Sequence, residues 1–294
     1  MVRPVRVVTM NKDIVIRHIV ERLGTAEINY HERTVRPDRR NGKSLEAGVL
    51  IPIFFETGHR ANKGDFSFLL SKRSATVSQS GDISGPGGKL EPFIDRFLRF
   101  FIVHLFHSLL NKDALMYARR RGNAAFDSIS LFLANAVRES WEEIRLSPFN
   151  IRFLGPLPSY SLSMFKKTIF PVVGLVGEKW DFHPNREVEK MVEIPLQAFY
   201  DEDNYRFLSI HSPADDTKND WKFPCLIHKD NDGEEEILWG ATFNIIMSFL
   251  KIVFDFKPPE IPTQKIITRA LRPNYLTGNH KKRSKLLDKI LQDR

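Results

Sequence analysis

The sequence predicts an α/β fold organised around a mixed sheet. Strand-like runs rich in β-branched and aromatic residues occupy 47–55, 66–71 and 168–176, and such runs suit pleated, largely buried surface. A helix is predicted from the region of Asp127 or Ser128. Another runs from about Ala241 to Phe254, where Lys257-Pro258-Pro259 stops it.

In chain order, a helix is expected around Ile14 to Leu23, followed by the basic, turn-prone stretch Arg36-Pro37-Asp38-Arg39-Arg40. Residues 1–46 read as an N-terminal extension. The main domain is placed at 47–256 with a helical insert at about 92–127, and 257–294 as a basic C-terminal tail. The tail carries Lys281-Lys282-Arg283 and an amphipathic run through Leu286, Leu287, Ile290 and Leu291. It reads as a solvated or packed terminal helix more readily than as a nucleic-acid contact. No internal repeat is found.

Within the insert, FIDRFLRFFIVHLFHSLL from Phe93 to Leu110 is apolar on nearly every face yet carries Asp95, Arg96, Arg99, His104 and His107. Those charges, at that length, argue against a membrane span. A helix apolar all round must be covered, so burial within the protomer or a homodimer through the insert is expected. His104 and His107 have helical ligand spacing but no third ligand nearby in sequence, and read as core or interface histidines.

The chemistry is concentrated elsewhere. At 100° per residue, Leu133, Ala134, Val137, Trp141 and Ile144 share one apolar arc, with Asp127 as the expected N-cap. Glu139, Glu142 and Glu143 fall on the opposite side, spaced i, i+3, i+4, so that their carboxylates converge. Like charges so placed repel unless screened, and hard Mg²⁺ or Mn²⁺ takes such oxygens while keeping waters and substrate phosphates in its shell. A solvated acidic face would explain the cluster taken alone. Upstream, however, Gly85-Pro86-Gly87-Gly88-Lys89-Leu90-Glu91 supplies a glycine turn. Gly87 and Gly88 can take positive φ and permit close backbone approach, Pro86 stiffens the turn, and Lys89 adds a charge for a carboxylate or a phosphate. A glycine bend facing a carboxylate-bearing helix can hold divalent cations against a phosphate chain, which points to pyrophosphate chemistry.

GGKLEP followed by RESWEE resembles an interrupted Nudix box, G-x5-E-x7-R-E-U-x-E-E-x-G-U, the signature of Nudix hydrolases. Gly88 matches the opening glycine, Arg138 and Glu139 the RE pair, Ser140 the U position imperfectly, Glu142 and Glu143 the EE pair, and Leu146 the last apolar position. The resemblance implies an α/β/α sandwich with a mixed sheet, to which the helical insert and the two terminal extensions are added. It also implies metal ligation by Glu139, Glu142 and Glu143, and a supporting salt bridge from Arg138. Two positions depart from the pattern. The insert displaces the first box glutamate, leaving Asp127 or nothing as its counterpart, since counting back from Arg138 reaches Ser130. Arg145 replaces the glycine of EExG, which costs about 1 kcal/mol if that site needs positive φ.

Further segments are similar to the coenzyme A pyrophosphatase branch: Leu69 to Ser74, Gly81 to Gly88, Glu187-Val188 leading to Ile194-Pro195-Leu196, and Ile237 to Thr242. They imply cleavage of coenzyme A or an acyl-coenzyme A into adenosine 3′,5′-bisphosphate and a phosphopantetheine. Gly85 replaces that branch's phenylalanine, and Ser78, Gln79 and Ser80 stand at its basic or histidine positions, so substrate identity is less specified than reaction class. On this reading Lys72, Arg73, Gly87 and Gly88 bind substrate, and Lys89 and Arg138 support the box. Glu142, Glu143 and Glu187 serve catalysis, with Glu187 the first candidate for general base and Glu189 behind it.

Composition agrees without deciding. With 294 residues, 42% of them hydrophobic, the chain can bury one good core plus appendages. Its formal charge of +8 favours anionic partners such as nucleotides, nucleic acid or a membrane surface without choosing among them; a small-molecule nucleotide substrate is expected, with nucleic acid not favoured. A single cysteine, Cys225, rules out an intrachain disulfide and reads as a small buried hydrophobe. The first residues lack an apolar signal region, so an intracellular, cytoplasmic location is expected. Nucleophile-elbow, zinc and dinucleotide-binding patterns are absent from the sequence. The alternatives are a Nudix hydrolase for another nucleoside diphosphate or capped RNA, and a Nudix-like scaffold without activity.

Overall fold

The computed structural model describes residues 11–35, 45–55, 66–105, 110–162, 167–211, 221–270 and Tyr275. Helices α1 (Lys12–Thr25) and α2 (Tyr30–Val35) precede strands β1 (Leu45–Phe54), β2 (Ser67–Arg73), β3 (Ile83–Ser84) and β4 (Gly87–Lys89). Three helices follow, α3 (Pro92–His104), α4 (Lys112–Arg120) and α5 (Asn123–Ile144). The chain continues through β5 (Ile151–Pro156), β6 (Tyr160–Leu162), β7 (Lys167–Val176), β8 (Val188–Pro195), β9 (Tyr205–His211), β10 (Trp221–Lys229) and β11 (Glu235–Trp239) to α6 (Gly240–Phe254) and β12 (Ile266–Ala270).

The larger sheet is mixed. Its order is β3-β2-β1-β7-β5, with β4 also paired to β1, β6 to β7 and β8 to β2. β1 and β7 run parallel in register from Leu45–Lys167 to Phe54–Val176, whereas β1 meets β2 and β4 antiparallel. Both central strands are buried over most of their length, because helices cover both faces. Alternation along β1 divides the layers. Gly48 faces α5, while Ile53, the register partner of Phe68, faces α6. On the α5 side Phe132 stacks on Phe170 at 3.8 Å and Tyr30 meets both edge-on. On the α6 side Phe249 meets Phe66 and Phe68 edge-on at 6.2 and 5.6 Å. A smaller sheet, β11-β10-β9-β12, completes the body.

Several expectations change. α5 begins at Asn123 after Gly122, not near Asp127. The helix-favouring Ala124-Ala125 extends it upstream, and Asp127 lies inside it, paired with Arg99. Trp141 is not core: it sits at the surface with the Arg145 guanidinium 5.3 Å from its ring centroid. Helix α3 is not covered all round, since Phe93, Phe97, Phe100 and His104 are exposed while Asp95 is buried. The C-terminal segment is in part structured, because β12 pairs with β9 and Tyr275 is buried, its hydroxyl bonded to Asp82. Lys281 to Arg283, the run from Leu286 to Leu291, the basic stretch at 36–40 and His107 lie outside the described residues. No described helix is long and apolar enough to cross a membrane.

The α5 layer lies unusually close to β1. Gly48 N–H donates to Asn135 Oδ1 at 2.6 Å, and a Cβ at residue 48 would meet Asn135 Oδ1 at 2.6 Å and the Phe132 carbonyl oxygen at 2.7 Å. Gly48→Ala is therefore expected to lose about 1–3 kcal/mol by overpacking, read as a lower urea midpoint at unchanged slope. A midpoint equal to wild type would contradict the close approach.

Candidate active site

β4 carries the glycines against β1, with Gly88 opposite Gly48 and Gly87 opposite Val49. Neither Gly87 nor Gly88 takes positive φ; both are extended strand. This corrects the expected turn, and the need for glycine at 88 is proximity instead. A Cβ there would overlap the carboxylate of Glu139. Positive φ occurs at Arg145, which closes α5 at φ 54° with its N–H on the Trp141 carbonyl at 3.1 Å and the following Leu146 N–H on the Ser140 carbonyl at 3.3 Å. The arginine in the glycine position of the box is thus strained as its sequence position suggested.

The box carboxylates separate into two environments. Glu143 is buried, and its Oε2 accepts from the Gly87 N–H at 3.4 Å. Burial first, then the neighbouring charge of Glu139, pushes its carboxyl up to about 8, against the opposing pull of Arg73 and the Gly87 amide. Burial also raises Glu139, which Arg138 partly offsets. Glu142 is half-exposed and drawn to Arg138 Nη1 at 3.0 Å. Arg138 in turn reaches Glu139 Oε1 at 2.8 Å, Asp95 Oδ1 at 2.8 Å and the Lys89 carbonyl at 3.2 Å. Burial works against its charge, but the bond to Asp95 and the flanking glutamates outweigh that and hold the guanidinium firmly protonated.

Asp95 is the acidic partner that sequence reasoning missed. Fully buried at the start of α3, it accepts from Arg138, from Asn135 Nδ2 at 3.1 Å and from the Glu91 N–H at 2.6 Å. The assignment to Asp127 fails because Asp127 faces Arg99. A signal was present: Asp95 is the sole carboxylate in the apolar run from Phe93 to Leu110.

The remaining candidates divide by face. On β2, Lys72 and Arg73 point to opposite sides. Lys72 Nζ lies among carboxylates, 2.9 Å from Glu236 and 3.5 Å from Glu189. Arg73 instead sits where its charge acts on Glu143 and Lys167. Lys167, at the first position of β7, is a second cation overlooked in the sequence. Burial and Arg73 lower its ammonium, while Glu143 and Glu139 oppose the shift. Glu187 is partly buried in a turn joined to the end of α5 by the Asn185 N–H on the Glu143 carbonyl at 2.9 Å, and its charge adds to the upward push on Glu143. Lys89 extends an exposed side chain, and its carbonyl, rather than its ammonium, meets Arg138.

Among the described residues, no group of three or more His, Cys, Asp or Glu stands in a metal-holding arrangement. The expected convergence of the three glutamates is not preformed, since Arg138 takes up oxygens of Glu139 and Glu142 while Glu143 faces the glycine strand. The donors still fit a hard divalent ion by type, and the like charges of half-buried Glu139 and buried Glu143 are what such an ion relieves.

No protein-family model matches the chain. It is similar to the chloroplastic Nudix hydrolase 22 of Arabidopsis thaliana, 27% identical over 236 residues, covering 79% of this chain and 63% of that protein. It is also similar to the mitochondrial Nudix hydrolase 15 of the same plant, 26% identical over 231 residues, 76% of this chain and 62% of that one. The Nudix hydrolase NudL of Pectobacterium atrosepticum is 38% identical over 127 residues, 42% of this chain and 60% of its own. The chain thus spans 60% to 63% of the length of these relatives. Its fold is an α/β/α sandwich with mixed sheets and added helical and terminal elements.

The charge on Glu143 has a measurable consequence for stability. Its unfolded carboxyl titrates near 4.5 and its folded one near 8, so between these values the native state holds the extra proton. Stability without metal then falls as pH rises through that window. Glu143→Gln is expected to raise the stability of chelator-treated protein at pH 8.5 by a few kcal/mol, with little change at pH 5, on the order implied by the shift. Equal unfolding midpoints for variant and wild type at pH 8.5 would contradict the burial of that charge.

Proposed function

We propose that this chain is a metal-dependent pyrophosphohydrolase that cleaves the diphosphate of coenzyme A or an acyl-coenzyme A. The observation that carries the reaction class is the pair of glutamates, half-buried Glu139 and buried Glu143, held against the Gly87–Gly88 strand with Arg73 and Lys167 in electrostatic reach. The Nudix hydrolases to which the chain is similar support it. The substrate rests on the segments that resemble the coenzyme A branch.

Glu139, Glu142 and Glu143 would hold Mg²⁺ or Mn²⁺. When bound, such an ion supplies neutralisation of diphosphate oxygens and a more acidic water. The chain's own groups do the rest. Arg73 and Lys167 bind phosphate oxygens and offset part of the glutamates' negative charge, so that an anionic substrate can approach. The glycine strand lets the backbone lie flat beside the diphosphate. Glu187 takes the proton of the attacking water, close enough to Glu143 for the two charges to couple. Arg138 positions Glu139 and Glu142 and anchors α3 to the same point.

A second reading has one observation in its favour. Arg138 already satisfies Glu142, and a Nudix-like module that binds a nucleotide without hydrolysing it would look the same. Product analysis by mass spectrometry separates these readings, using coenzyme A, acyl-coenzyme A, NADH and ADP-ribose with Mg²⁺ or Mn²⁺. Wild type is expected to release adenosine 3′,5′-bisphosphate from coenzyme A or its thioester, and Glu142→Gln to turn over roughly 10²-fold more slowly. Equal turnover by both would remove the metal-site assignment. Turnover of NADH or ADP-ribose alone would move the substrate class, and binding without product would favour the scaffold.

A further inference from the structure

Helix α3 turns aromatic rings outward, while its inward side mixes charged groups with the buried Ile102 and Val103. Its inward side carries Asp95, bound to Arg138, and Arg99, which donates to Ser130 Oγ at 2.7 Å and pairs with Asp127. Its outward side carries Phe93, Phe97 and Phe100, exposed by 87%, 63% and 57%. Spaced i, i+4, i+7, these rings form one stripe, with Ile94 and Leu105 exposed on its flank. Phe97 and Phe100 each meet Phe101 edge-on, at 4.8 and 5.8 Å, so the aromatic groups support one another as a ridge. A contiguous exposed apolar ridge marks a contact surface.

Charge decides what it contacts. Residues 92–122 contain six Lys or Arg and two Asp. Asp95 is turned inward, Arg99 is paired with Asp127, and Arg121 donates to the carbonyls of Leu23 and Gly24. Exposed on the segment are Arg96, Lys112, Arg119 and Arg120, none in an ion pair among the described residues, against a single exposed carboxylate, Asp113. Lys112, Arg119 and Arg120 share a shallow groove on α4 with Leu115 and Met116. The two helices adjoin, since Ile102 and Val103 of α3 line one apolar gap with Leu115 and Ala118 of α4. A second copy docked about a two-fold axis would place this cationic face against itself. An anionic bilayer offers phosphates to the cations and acyl depth to the rings.

We propose that the outer face of α3, with the cationic face of α4, docks the protein on anionic phospholipid surfaces as an interfacial helix. The 13 residues of α3 make a rod about 20 Å long, short of the roughly 30 Å hydrocarbon core. It therefore lies in the plane of the interface with its rings sunk about 5–10 Å. The proposal stands apart from the catalytic reading, because these side chains point away from Asp95 and the box.

Cosedimentation of the 294-residue chain with vesicles tests it. Binding to phosphatidylcholine containing about 30% phosphatidylglycerol is expected to exceed binding to pure phosphatidylcholine by about tenfold or more, and to weaken with salt. The triple variant Phe93→Ser, Phe97→Ser, Phe100→Ser is expected to lose about tenfold in partitioning, and Phe93→Ser alone, at a position with almost no contacts to lose, about threefold. Arg96→Gln with Arg119→Gln and Arg120→Gln should abolish the preference for anionic vesicles. Absence of binding to anionic vesicles, or equal binding by wild type and Phe93→Ser, would overturn the proposal. So would a dimer in sedimentation equilibrium that the triple variant dissolves while vesicles bind nothing.

Discussion

The guanidinium of Arg138 is where three separate elements meet. It joins Asp95 of α3, the Lys89 carbonyl of β4 and, on its own helix α5, Glu139 and Glu142. A buried ion pair adds little net stability against a well-packed apolar alternative, but removing one partner leaves an uncompensated charge at a cost of about 3–5 kcal/mol. The arrangement therefore acts mainly on geometry. With Asp95 fixed, the start of α3 cannot leave α5; with the Lys89 carbonyl held, β4 cannot slide along β1. The distance between the glycine strand and the glutamates follows from those two constraints and from the missing Cβ atoms at Gly48 and Gly88.

The same packing creates a charge imbalance. Glu143 is brought under the surface beside a half-buried Glu139, and both carboxyls are raised as a result. A chain selected only for stability would not keep two such acids side by side. Their upkeep makes sense if the site receives positive charge from outside, while Arg73 and Lys167 offset part of the imbalance from within. Helix α3 serves two surfaces at once, since its inward acid anchors the site and its outward rings face solvent.

Much of the fold was legible because burial leaves a periodic trace. β1, β2 and β7 lie within two residues of their predicted positions, and α1 and α6 at theirs, since alternating or continuous apolar runs report sheet and helix faces directly. The start of α5 was misjudged because Asp127 is a good capping residue by type, and nothing local reveals that Arg99 claims it. Trp141 was assigned inward by the same arc that places Val137 inside, although cation contact with Arg145 holds it at the surface. In the site, the spacing of the glutamates was readable but not their division between Arg138 and Gly87. That division depends on Asp95, brought in from outside the helix by an insert the box pattern does not contain. Lys167 was invisible for a related reason: strand starts carry lysines often, and only the parallel pairing of β7 with β1 places this one near the glutamates.

The dependence of the site on the Asp95–Arg138 pair can be measured by a double-mutant cycle in urea with Asp95→Asn, Arg138→Gln and the combined variant. If this pair holds α3, β4 and α5 together, the two substitutions will be strongly non-additive, with a coupling energy of about 2 kcal/mol or more. Additive losses, with coupling under about 0.5 kcal/mol, would show that the elements are positioned without it and would contradict the account.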